Sequence, residues 1–291
     1  MQNGFEHIPF SGACFLATFT PNGVLSLSMK IGIVGVGMVG RSVHHGLSRI
    51  GHELSVFDIN LPETSLSDVI STDLTFICVP TPSNPDGTCN ASIVEKVVAE
   101  LSDAGYQGLA VIKSTVEPGT TDKLHTRHQN LRLALCPEFL REKAAYTDFV
   151  EQHDVCIVGA YNEEDFELVK QAHDPLPDNY AHVTPLEAEF CKYFLNVFNA
   201  LRIVYANQFY DVAKAAGADY QKIKNAITTH RVIPPVYLDC NENFRGFGGA
   251  CLPKDTNAFA KYARRILGEP KNLSLFDHIV EINTRYKTTV L

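Results

Sequence analysis

The chain is 291 residues long, with 45% hydrophobic residues, 20% charged residues and a formal net charge of −8 at pH 7. These proportions are ordinary for a globular protein, and the length allows one large domain or two of usual size. The negative charge opposes binding to nucleic acid or anionic lipid, and the sequence has no run of about 18 apolar residues that would span a bilayer. We therefore expect a soluble cytoplasmic protein without a nucleic-acid or membrane partner.

The eight cysteines are scattered, with no C-x-x-C pair and no histidines at zinc-finger spacing. This pattern favours a reduced cytosol and predicts no metal site. Residues 1–28 contain an apolar patch at 13–17, but no basic residues precede it as they would in a signal peptide. Because Met29 directly precedes the first strand-like segment, residues 1–28 are predicted to form a disordered N-terminal extension.

From residue 30 to about residue 183, short apolar runs alternate with segments of helical spacing, such as 91–104 and 162–171. This alternation is typical of a parallel sheet that helices cover on both faces. Residues 29–183 are therefore predicted to form a Rossmann-type doubly wound α/β domain. The predicted strands are residues 30–34, 54–57, 74–79, 109–113, 131–135 and 155–158.

A long helical run extends from residue 186 to about residue 216 without an internal Gly or Pro. Further helices are predicted at 220–228, 256–267 and 273–286, so that residues 184–291 form a helical central domain. Phe190, Phe194 and Phe198 recur on adjoining turns of the long helix. This aromatic stripe predicts a homodimer interface, although it would also suit packing within the chain.

Gly35-Val36-Gly37-Met38-Val39-Gly40 directly follows the first predicted strand and leads into a helical segment. In this context G-x-G-x-x-G indicates a dinucleotide-binding turn. Gly35 permits the tight turn, Gly37 the close approach of a pyrophosphate, and Gly40 the contact between helix and sheet. The helix N-terminus at Met38 and Val39 offers N–H groups to the same phosphates.

Asp58 ends the second predicted strand, 23 residues after Gly35. A carboxylate there accepts hydrogen bonds from the ribose hydroxyls of NAD and repels the 2′-phosphate of NADP, so NAD is the predicted cofactor. Thr81 and Pro82 follow the third strand at its carboxyl end, where ligands lie in open α/β sheets. A structural turn would also explain Asp58, Thr81 and Pro82, and that alternative stays open.

A glycine-rich loop leads to a thiol and a charged pair in Gly246-Phe247-Gly248-Gly249-Ala250-Cys251-Leu252-Pro253-Lys254-Asp255. If Pro253 lies in the first turn of a helix, the helix dipole and Lys254 favour the thiolate form of Cys251. A small buried cysteine is the commoner role of this residue type. The glycines before Cys251 and the charges after it favour a nucleophile instead.

This segment resembles the active-site loop of the UDP-glucose/GDP-mannose dehydrogenase family, whose pattern is Gly-aromatic-Gly-Gly-x-Cys-Leu-Pro-Lys-Asp. The resemblance covers residues 30 to about 288 in the family's order. Its other parts are Val79-Pro80-Thr81-Pro82, the segment from Lys113 to Thr121 that begins Lys-Ser-Thr-Val, Pro137-Glu138-Phe139-Leu140-Arg141-Glu142, and the helix face of Glu189, Lys192 and Asn196.

The resemblance implies that the primary alcohol of a nucleotide sugar, foremost UDP-glucose, is oxidised to a carboxylate by two hydride transfers to NAD. Because a single oxidation stops at the aldehyde, Cys251 would form a thiohemiacetal and then a thioester that water hydrolyses. Lys192 and Asn196 would donate hydrogen bonds to the developing oxyanion.

The resemblance also assigns roles to other side chains. Asp255, with a water held by Thr115, would handle protons, and Glu142 would act as a general base in hydrolysis. Thr115 and Lys254 would also touch NAD. The implied substrate-binding residues are Glu138, Phe139, Leu140, Arg141, Lys192, Asn196, Arg231, Phe247 and Gly248.

The sequence departs from the family's pattern in several places. Family members usually continue into a second Rossmann-like domain that binds much of the UDP moiety, whereas this chain ends at Leu291. Lys143 stands where the family usually has Gly, and the stretch between Arg231 and Gly246 is longer. UDP-glucose, a UDP-N-acetylhexosamine and GDP-mannose are all compatible with the sequence, as are an NAD-binding module without turnover and a β-hydroxyacid-type dehydrogenase that needs no thiol.

Overall fold

The computed structural model describes residues 17–19, 25–268 and 274–286, with side chains from residue 28 onwards apart from Glu142 and Ser274. The strands are β1 (Ala17–Phe19), β2 (Leu25–Leu27), β3 (Lys30–Val34), β4 (Glu53–Phe57), β5 (Leu74–Ile77), β6 (Leu109–Ile112), β7 (Arg132–Leu135), β8 (Cys156–Gly159) and β9 (Tyr180–Val183). The helices are α1 (Met38–Arg49), α2 (Ser92–Asp103), α3 (Thr120–Arg127), α4 (Ala145–Val150), α5 (Glu163–His173), α6 (Pro185–Ala215), α7 (Tyr220–Ile227), α8 (Leu252–Leu267) and α9 (Ser274–Thr284).

Strands β3 to β9 form one sheet in the order β4-β3-β5-β6-β7-β8-β9. Neighbours within this sheet are parallel except β7 and β8, which pair antiparallel through Leu135 and Gly159. The strand order reverses between β3 and β5, and a crevice at such a switch point is where ligands bind in open α/β sheets. The predicted doubly wound fold is confirmed, with all six predicted strands present within one or two residues at each end.

The sequence did not predict the seventh strand of the sheet or the direction of β8. Strand β9 lies at the sheet edge and is half-exposed, so Tyr180-Ala181-His182-Val183 lacks the continuous apolar run of a central strand. An apolar run alone does not encode strand direction, which depends on the connection between strands.

Alternate residues of the central strands enter two separate cores, one on each face of the sheet. Ile31, Ile33 and Phe76 belong to the core on one face, whereas Val34 and Ile77 belong to the core on the other. This period of two explains why the strands are apolar throughout, since both of their faces are covered.

Helix α6 is 31 residues long and begins one residue before the predicted start. Its N-terminus is a capping box, in which the Thr184 hydroxyl accepts the N–H of Glu187 and the Glu187 carboxylate accepts the N–H of Thr184. Helices α8 and α9 pack on α6 partly through Phe259, which contacts the rings of Tyr193 and Phe276. None of the helices that the structure describes is long and apolar enough to cross a membrane. The division into domains at residues 183 and 184 stays a prediction.

Helix α3 was not predicted, because the helix is short, its sequence is polar, and the side chain that caps its N-terminus comes from another helix. Glu189 of α6 accepts hydrogen bonds from the backbone N–H groups of Gly119 and Thr121 and from the Thr121 hydroxyl. Burial is the largest influence on Glu189 and raises its pKa to about 7. The carboxyl group therefore joins α6 to the sheet region.

The prediction for residues 1–28 needs correction in part. β1 and β2 pair antiparallel, with Ala17 opposite Leu27 and Phe19 opposite Leu25, so these residues are not a disordered arm. The alternating sequences Ala17-Thr18-Phe19 and Leu25-Ser26-Leu27 suit strands, which the sequence reasoning overlooked. Residues 1–16 and 20–24 lie outside the described residues.

Candidate active site

The predicted glycine turn lies between β3 and α1, beside the switch point of the sheet. Gly35 has a φ of 92°, and a Cβ there would lie 2.9 Å from the backbone of Cys78. A Cβ on Gly40 would lie 2.0 Å from the Gly35 carbonyl oxygen, whereas one on Gly37 would meet no described atom within 4 Å. The fold itself therefore requires Gly35 and Gly40, while Gly37 leaves space that a pyrophosphate would use.

A cavity of about 490 Å³ lies at the N-terminus of α1, lined by Gly37, Met38, Arg41, Ser42 and residues 143–147. The first turn of α1 contains no acidic residue, and no described side chain caps it. The helix dipole and the charges of Arg41 and Lys143 therefore favour an anion here. The side chain of Val39 packs against the core, so the group it would offer a phosphate is its backbone N–H, as predicted from the sequence.

Asp58 lies at the end of β4, with its carboxylate held beside the glycine turn. Its Oδ2 accepts the N–H of Val36 at 2.6 Å, and its Oδ1 accepts the backbone N–H of Asn60 at 2.8 Å. The hydrogen bond from the Asn60 backbone, followed by that from Val36, lowers the pKa of Asp58. An ionised carboxylate at this position suits ribose hydroxyls and opposes a 2′-phosphate.

Polar side chains meet Cys251 where α8 faces α6. Cys251 is the exposed N-cap residue of α8. The helix begins at Leu252, four residues before the predicted start, and so includes Pro253 in its first turn. Asp255 is 1% exposed, and its Oδ2 accepts a hydrogen bond from Asn196 Nδ2 at 2.6 Å. Its Oδ1 lies 2.6 Å from Lys254 Nζ. The two helices thus bring Asn196 beside Asp255, in the same short segment as Cys251 and Lys254. We call these four residues the reactive centre.

The ends of β5 and β6 approach the reactive centre at Cys89. Thr81 is buried and Pro82 exposed just after β5. The Cys89 thiol donates to the carbonyl of Thr115 at 3.5 Å. Burial, the largest cause, raises the pKa of Cys89. The charge of Lys254 lowers this pKa and the charge of Asp255 raises it, each by less than burial does. Cys89 therefore links the backbone after β6 to the charged pair of the reactive centre.

Two asparagines that sequence reasoning missed hold the glycine-rich loop before Cys251. Asn207 Oδ1 accepts the N–H of Gly246 at 3.1 Å. Asn283 Oδ1 accepts the N–H of Phe247 at 2.7 Å, and its Nδ2 donates to the Phe247 carbonyl at 2.9 Å. Both asparagines are buried, so these hydrogen bonds satisfy loop backbone groups that lack access to water.

Lys192 lies one helical turn before Asn196 but contacts a different segment. Its Nζ donates to the carbonyl of Glu138 and lies 5.7 Å from the Phe139 ring centroid. The Glu138 side chain turns away, since its Oε2 lies 3.5 Å from the buried Nζ of Lys113. Lys192 therefore faces the backbone of the predicted substrate loop. The buried ion pair of Glu138 with Lys113 holds the other side of that loop.

A larger cavity of about 1060 Å³ lies next to the reactive centre. Residues 138–141 line it, together with one side of α6, Tyr237 and part of α9. Arg141 is fixed there because its Nε donates to Asp148 Oδ2 at 3.0 Å. Cys251 and Asn196 are not among the described lining residues, but Tyr237 is. Burial is the largest cause of the raised pKa of Tyr237, and the charge of Cys251 raises it slightly further, so Cys251 lies near this edge of the cavity.

The remaining predicted site residues are Phe247, Gly248, Arg231 and Glu142, and each has different surroundings. Phe247 is 1% exposed and packs in the core with Val197 and Ile203, so its side chain is not a substrate wall, because the glycines around it turn the ring inward. Gly248 is half-buried beside it. Arg231 is exposed after α7 and is outside the described lining of the cavity. Glu142 begins a short 3₁₀ turn, and its side chain lies outside the described residues.

Comparison with known proteins agrees with this arrangement. Residues 61–177 match the family model for the NAD-binding domain of the UDP-glucose/GDP-mannose dehydrogenase family, and residues 186–285 match the model for its central domain. The chain belongs to the UDP-glucose/GDP-mannose dehydrogenase family. NAD is therefore its cofactor, and the open space at Gly37 and the ionised Asp58 fit that molecule.

Individual members of the UDP-glucose/GDP-mannose dehydrogenase family are similar over most of the chain. UDP-glucose 6-dehydrogenase AglM of Haloferax volcanii is 28% identical over 88% of this chain and 69% of its own length. GDP-mannose 6-dehydrogenase of Pseudomonas syringae pv. syringae is 26% identical over 79% and 63%. The structure of a UDP-glucose dehydrogenase from Pyrobaculum islandicum superposes with a TM-score of 0.81 at 29% identity, covering 92% and 70%. The chain thus spans about two thirds of the length of these relatives.

Proposed function

We propose that this family member catalyses the NAD-dependent four-electron oxidation of a nucleotide sugar, converting a primary alcohol to a carboxylate. The observation that carries the proposal is the exposed Cys251 at the N-cap of α8, next to the buried hydrogen bond between Asn196 and Asp255. Oxidation of an alcohol to an aldehyde needs no thiol, whereas oxidation of the aldehyde is made possible by covalent addition of one. Relatives named as UDP-glucose and GDP-mannose 6-dehydrogenases support the same reaction.

In the first oxidation, NAD held at the glycine turn supplies the hydride acceptor. Asp255 takes up the alcohol proton, directly or through a water held by Thr115. Asn196 Nδ2 has two N–H bonds and uses one for Asp255, and the Lys192 ammonium has three and uses one for the Glu138 carbonyl. Their remaining N–H bonds stabilise negative charge on the substrate oxygen.

In the second oxidation, the Cys251 thiolate adds to the aldehyde carbon. A carbon–sulfur bond forms, and the carbonyl electron pair moves to the oxygen that Lys192 and Asn196 stabilise. Loss of hydride from the thiohemiacetal to a second NAD, bound at the same glycine turn, would give a thioester. Water then replaces sulfur, which releases the carboxylate and regenerates the thiol, with Glu142 assigned as the base that activates the water.

We infer UDP-glucose as the substrate from the archaeal relatives that are named for it. GDP-mannose and a UDP-N-acetylhexosamine are the alternatives, because the long stretch after Arg231 departs from the family's pattern and a relative named for GDP-mannose is similar over most of the chain. The cavity along residues 138–141 and α6 is the place for the nucleotide part of any of them.

We also propose a homodimer that forms through the aromatic stripe of α6. Phe194 is 76% exposed and Tyr205 is 59% exposed, and Phe198 and Phe209 lie exposed beside them on the same helix. A contiguous apolar stripe of this kind is typical of a covered interface, and pairing of α6 with its own copy would give a two-fold dimer. Phe194 and Phe198 also line the cavity proposed for the nucleotide, so the test uses Tyr205, which is outside that lining. Sedimentation velocity is expected to show monomers for Tyr205→Glu.

The reaction is tested by measuring NADH release with UDP-glucose, UDP-N-acetylglucosamine and GDP-mannose in parallel. Two NADH per sugar are expected with one of them, and this turnover is lost in Cys251→Ser but kept in Cys240→Ser, a buried control in a separate apolar cluster. NAD binding without turnover on any sugar would identify the chain as a binding module. Activity on a 3-hydroxy acid that survives Cys251→Ala would identify a hydroxyacid dehydrogenase.

A further inference from the structure

Three soft metal-ligating side chains from distant parts of the sequence meet inside the sheet region. Cys136 follows β7, Cys156 begins β8 and His173 ends α5, and all three are at most 2% exposed. Their ligand atoms lie within 4.8 Å of one another, and the two sulfur atoms are 3.6 Å apart. The oxidation proposed above uses none of them.

One ring nitrogen of His173 is buried without a hydrogen-bond partner among the described residues. Its Nδ1 lies 2.8 Å from the carbonyl of Val169 and must carry the proton, so Nε2 holds a lone pair. Nε2 is the ring nitrogen that lacks a partner within the part of the chain that the structure describes. A backbone carbonyl on one ring nitrogen is the usual support for a histidine whose other nitrogen binds a metal.

The spacing of the two sulfur atoms also fits a shared metal better than a disulfide. Zinc–sulfur bonds of about 2.3 Å at a tetrahedral angle place two thiolates about 3.8 Å apart, close to the 3.6 Å between Cys136 and Cys156. A disulfide would need the sulfur atoms at about 2.05 Å and would still leave His173 Nε2 without a partner. A metal would satisfy all three ligands at once.

The charges around the cluster balance when a divalent ion replaces two protons. Lys113 Nζ lies 3.4 Å from Cys136 Sγ and 3.5 Å from Glu138 Oε2, so a buried cation and a buried anion are already paired there. Binding proceeds as M²⁺ plus two Cys–SH to give M(Cys–S⁻)₂ plus two H⁺. The total charge of the cluster is unchanged, so no uncompensated charge is left in the core. Lys113 still donates to Cys136 Sγ, which is then a thiolate.

We infer that Cys136, Cys156 and His173 bind one thiophilic divalent metal ion of the zinc type. The two thiolates and the imidazole are the donors that zinc prefers. The ion would tie β7, β8 and α5 together directly before residues 137–142, the segment that Lys192 contacts. Its role is structural, because the ligands are buried behind that segment and no substrate group is placed near them.

The test uses the full chain in a Cys251→Ser background, so that the exposed thiol does not bind metal. After chelation, Zn²⁺ is titrated by calorimetry in buffers of different protonation enthalpy, and Co²⁺ is added separately as a spectroscopic probe. We expect a single equivalent of Zn²⁺, release of two protons per ion, a higher Tm, and a thiolate-to-Co²⁺ charge-transfer band. Cys156→Ser and His173→Ala should each weaken Zn²⁺ binding at least tenfold, whereas Cys78→Ser, a buried control after β5, should not.

Three results would overturn the site. One is a parent protein that gains neither Zn²⁺ affinity nor a Co²⁺–thiolate band, which needs no folded variant to interpret. Another is Zn²⁺ binding that is undiminished in both ligand variants. A mass two hydrogens lower, mapped to a Cys136–Cys156 link in protein isolated without oxidant, would assign the pair as a disulfide instead. None of these readouts depends on dehydrogenase activity.

Discussion

The cofactor edge, formed by Gly35, Gly37, Gly40 and Asp58, and the reactive centre around Cys251 are constructed in different ways. At the cofactor edge the backbone does the positioning, and two glycines have no room for a Cβ. At the reactive centre the positioning depends on side chains from α6 and α8 that contact each other. The first region should therefore tolerate no added atoms at Gly35 and Gly40, whereas the second should be sensitive to loss of a hydrogen-bonding partner.

The largest effect is expected for Asn196→Ala, which removes the hydrogen bond to buried Asp255 and a proposed oxyanion donor. We expect kcat to fall by roughly 10²- to 10³-fold and the free energy of unfolding to fall by about 1–3 kcal/mol. NAD affinity, measured by calorimetry, should be unchanged, and Gln208→Ala, an exposed amide on the same helix, should match the wild type. A parallel loss of NAD affinity would show that the two regions are not independent.

Glu189 tests the connection between the two regions through the pH dependence of stability. Its pKa is about 7 in the folded protein against 4.5 ordinarily, so its stabilising contribution is complete below about pH 4.5 and is lost as the pH rises through 7. The loss amounts to about 3 kcal/mol. Urea unfolding between pH 5 and pH 8 should show this slope in wild type and in Glu95→Gln, an exposed control, but not in Glu189→Gln. Equal slopes in all three would contradict the assignment.

Substitutions at Gly40 and Gly37 separate two roles of glycine at the cofactor edge, one in folding and one in NAD binding. Gly40→Ala should lower the free energy of unfolding by about 1–3 kcal/mol, because the new methyl group overlaps the Gly35 carbonyl. Gly37→Ala should leave unfolding within about 0.5 kcal/mol of wild type but weaken NAD binding, measured by titration. If Gly37→Ala bound NAD normally, the pyrophosphate would not approach at this position.

Lys143→Gly should have the smallest effect, since the side chain is exposed at the cavity over α1. We expect a few-fold weaker NAD affinity at low salt, corresponding to about 0.5 kcal/mol. The difference from wild type should shrink in high salt because the charge is screened, and Lys143→Arg should retain wild-type affinity. A salt-independent difference would point to loop conformation rather than charge.

The features that the sequence predicted correctly depend on nearby residues. The strand before Gly35, the helix after Gly40 and the start of α8 near Pro253 all follow from local spacing and backbone preference. Family resemblance additionally linked Asn196 to Asp255, which local patterns alone do not connect.

The features that were missed depend on contacts between distant residues. The cap of α3 comes from Glu189, about 70 residues later, and the loop before Cys251 is held by Asn207 and Asn283 from two separate helices. The cluster around His173 was missed for the same reason, since its ligands have no common spacing in the sequence. A single sequence does not display such pairings, because the fold determines them.

The contacts of Asn207 and Asn283 divide the thiol-bearing loop into a fixed base and a short adjustable span. Both amides bind the backbone at Gly246 and Phe247, and α8 fixes the chain again from Leu252. Residues 248–250 lie between these anchors, with Gly249 at a φ of 74°. The positive φ of Gly249 favours glycine, so substitutions belong at the exposed Ala250 instead. Changes there would alter the surroundings of a bound sugar while the attachment of Cys251 to the scaffold is preserved.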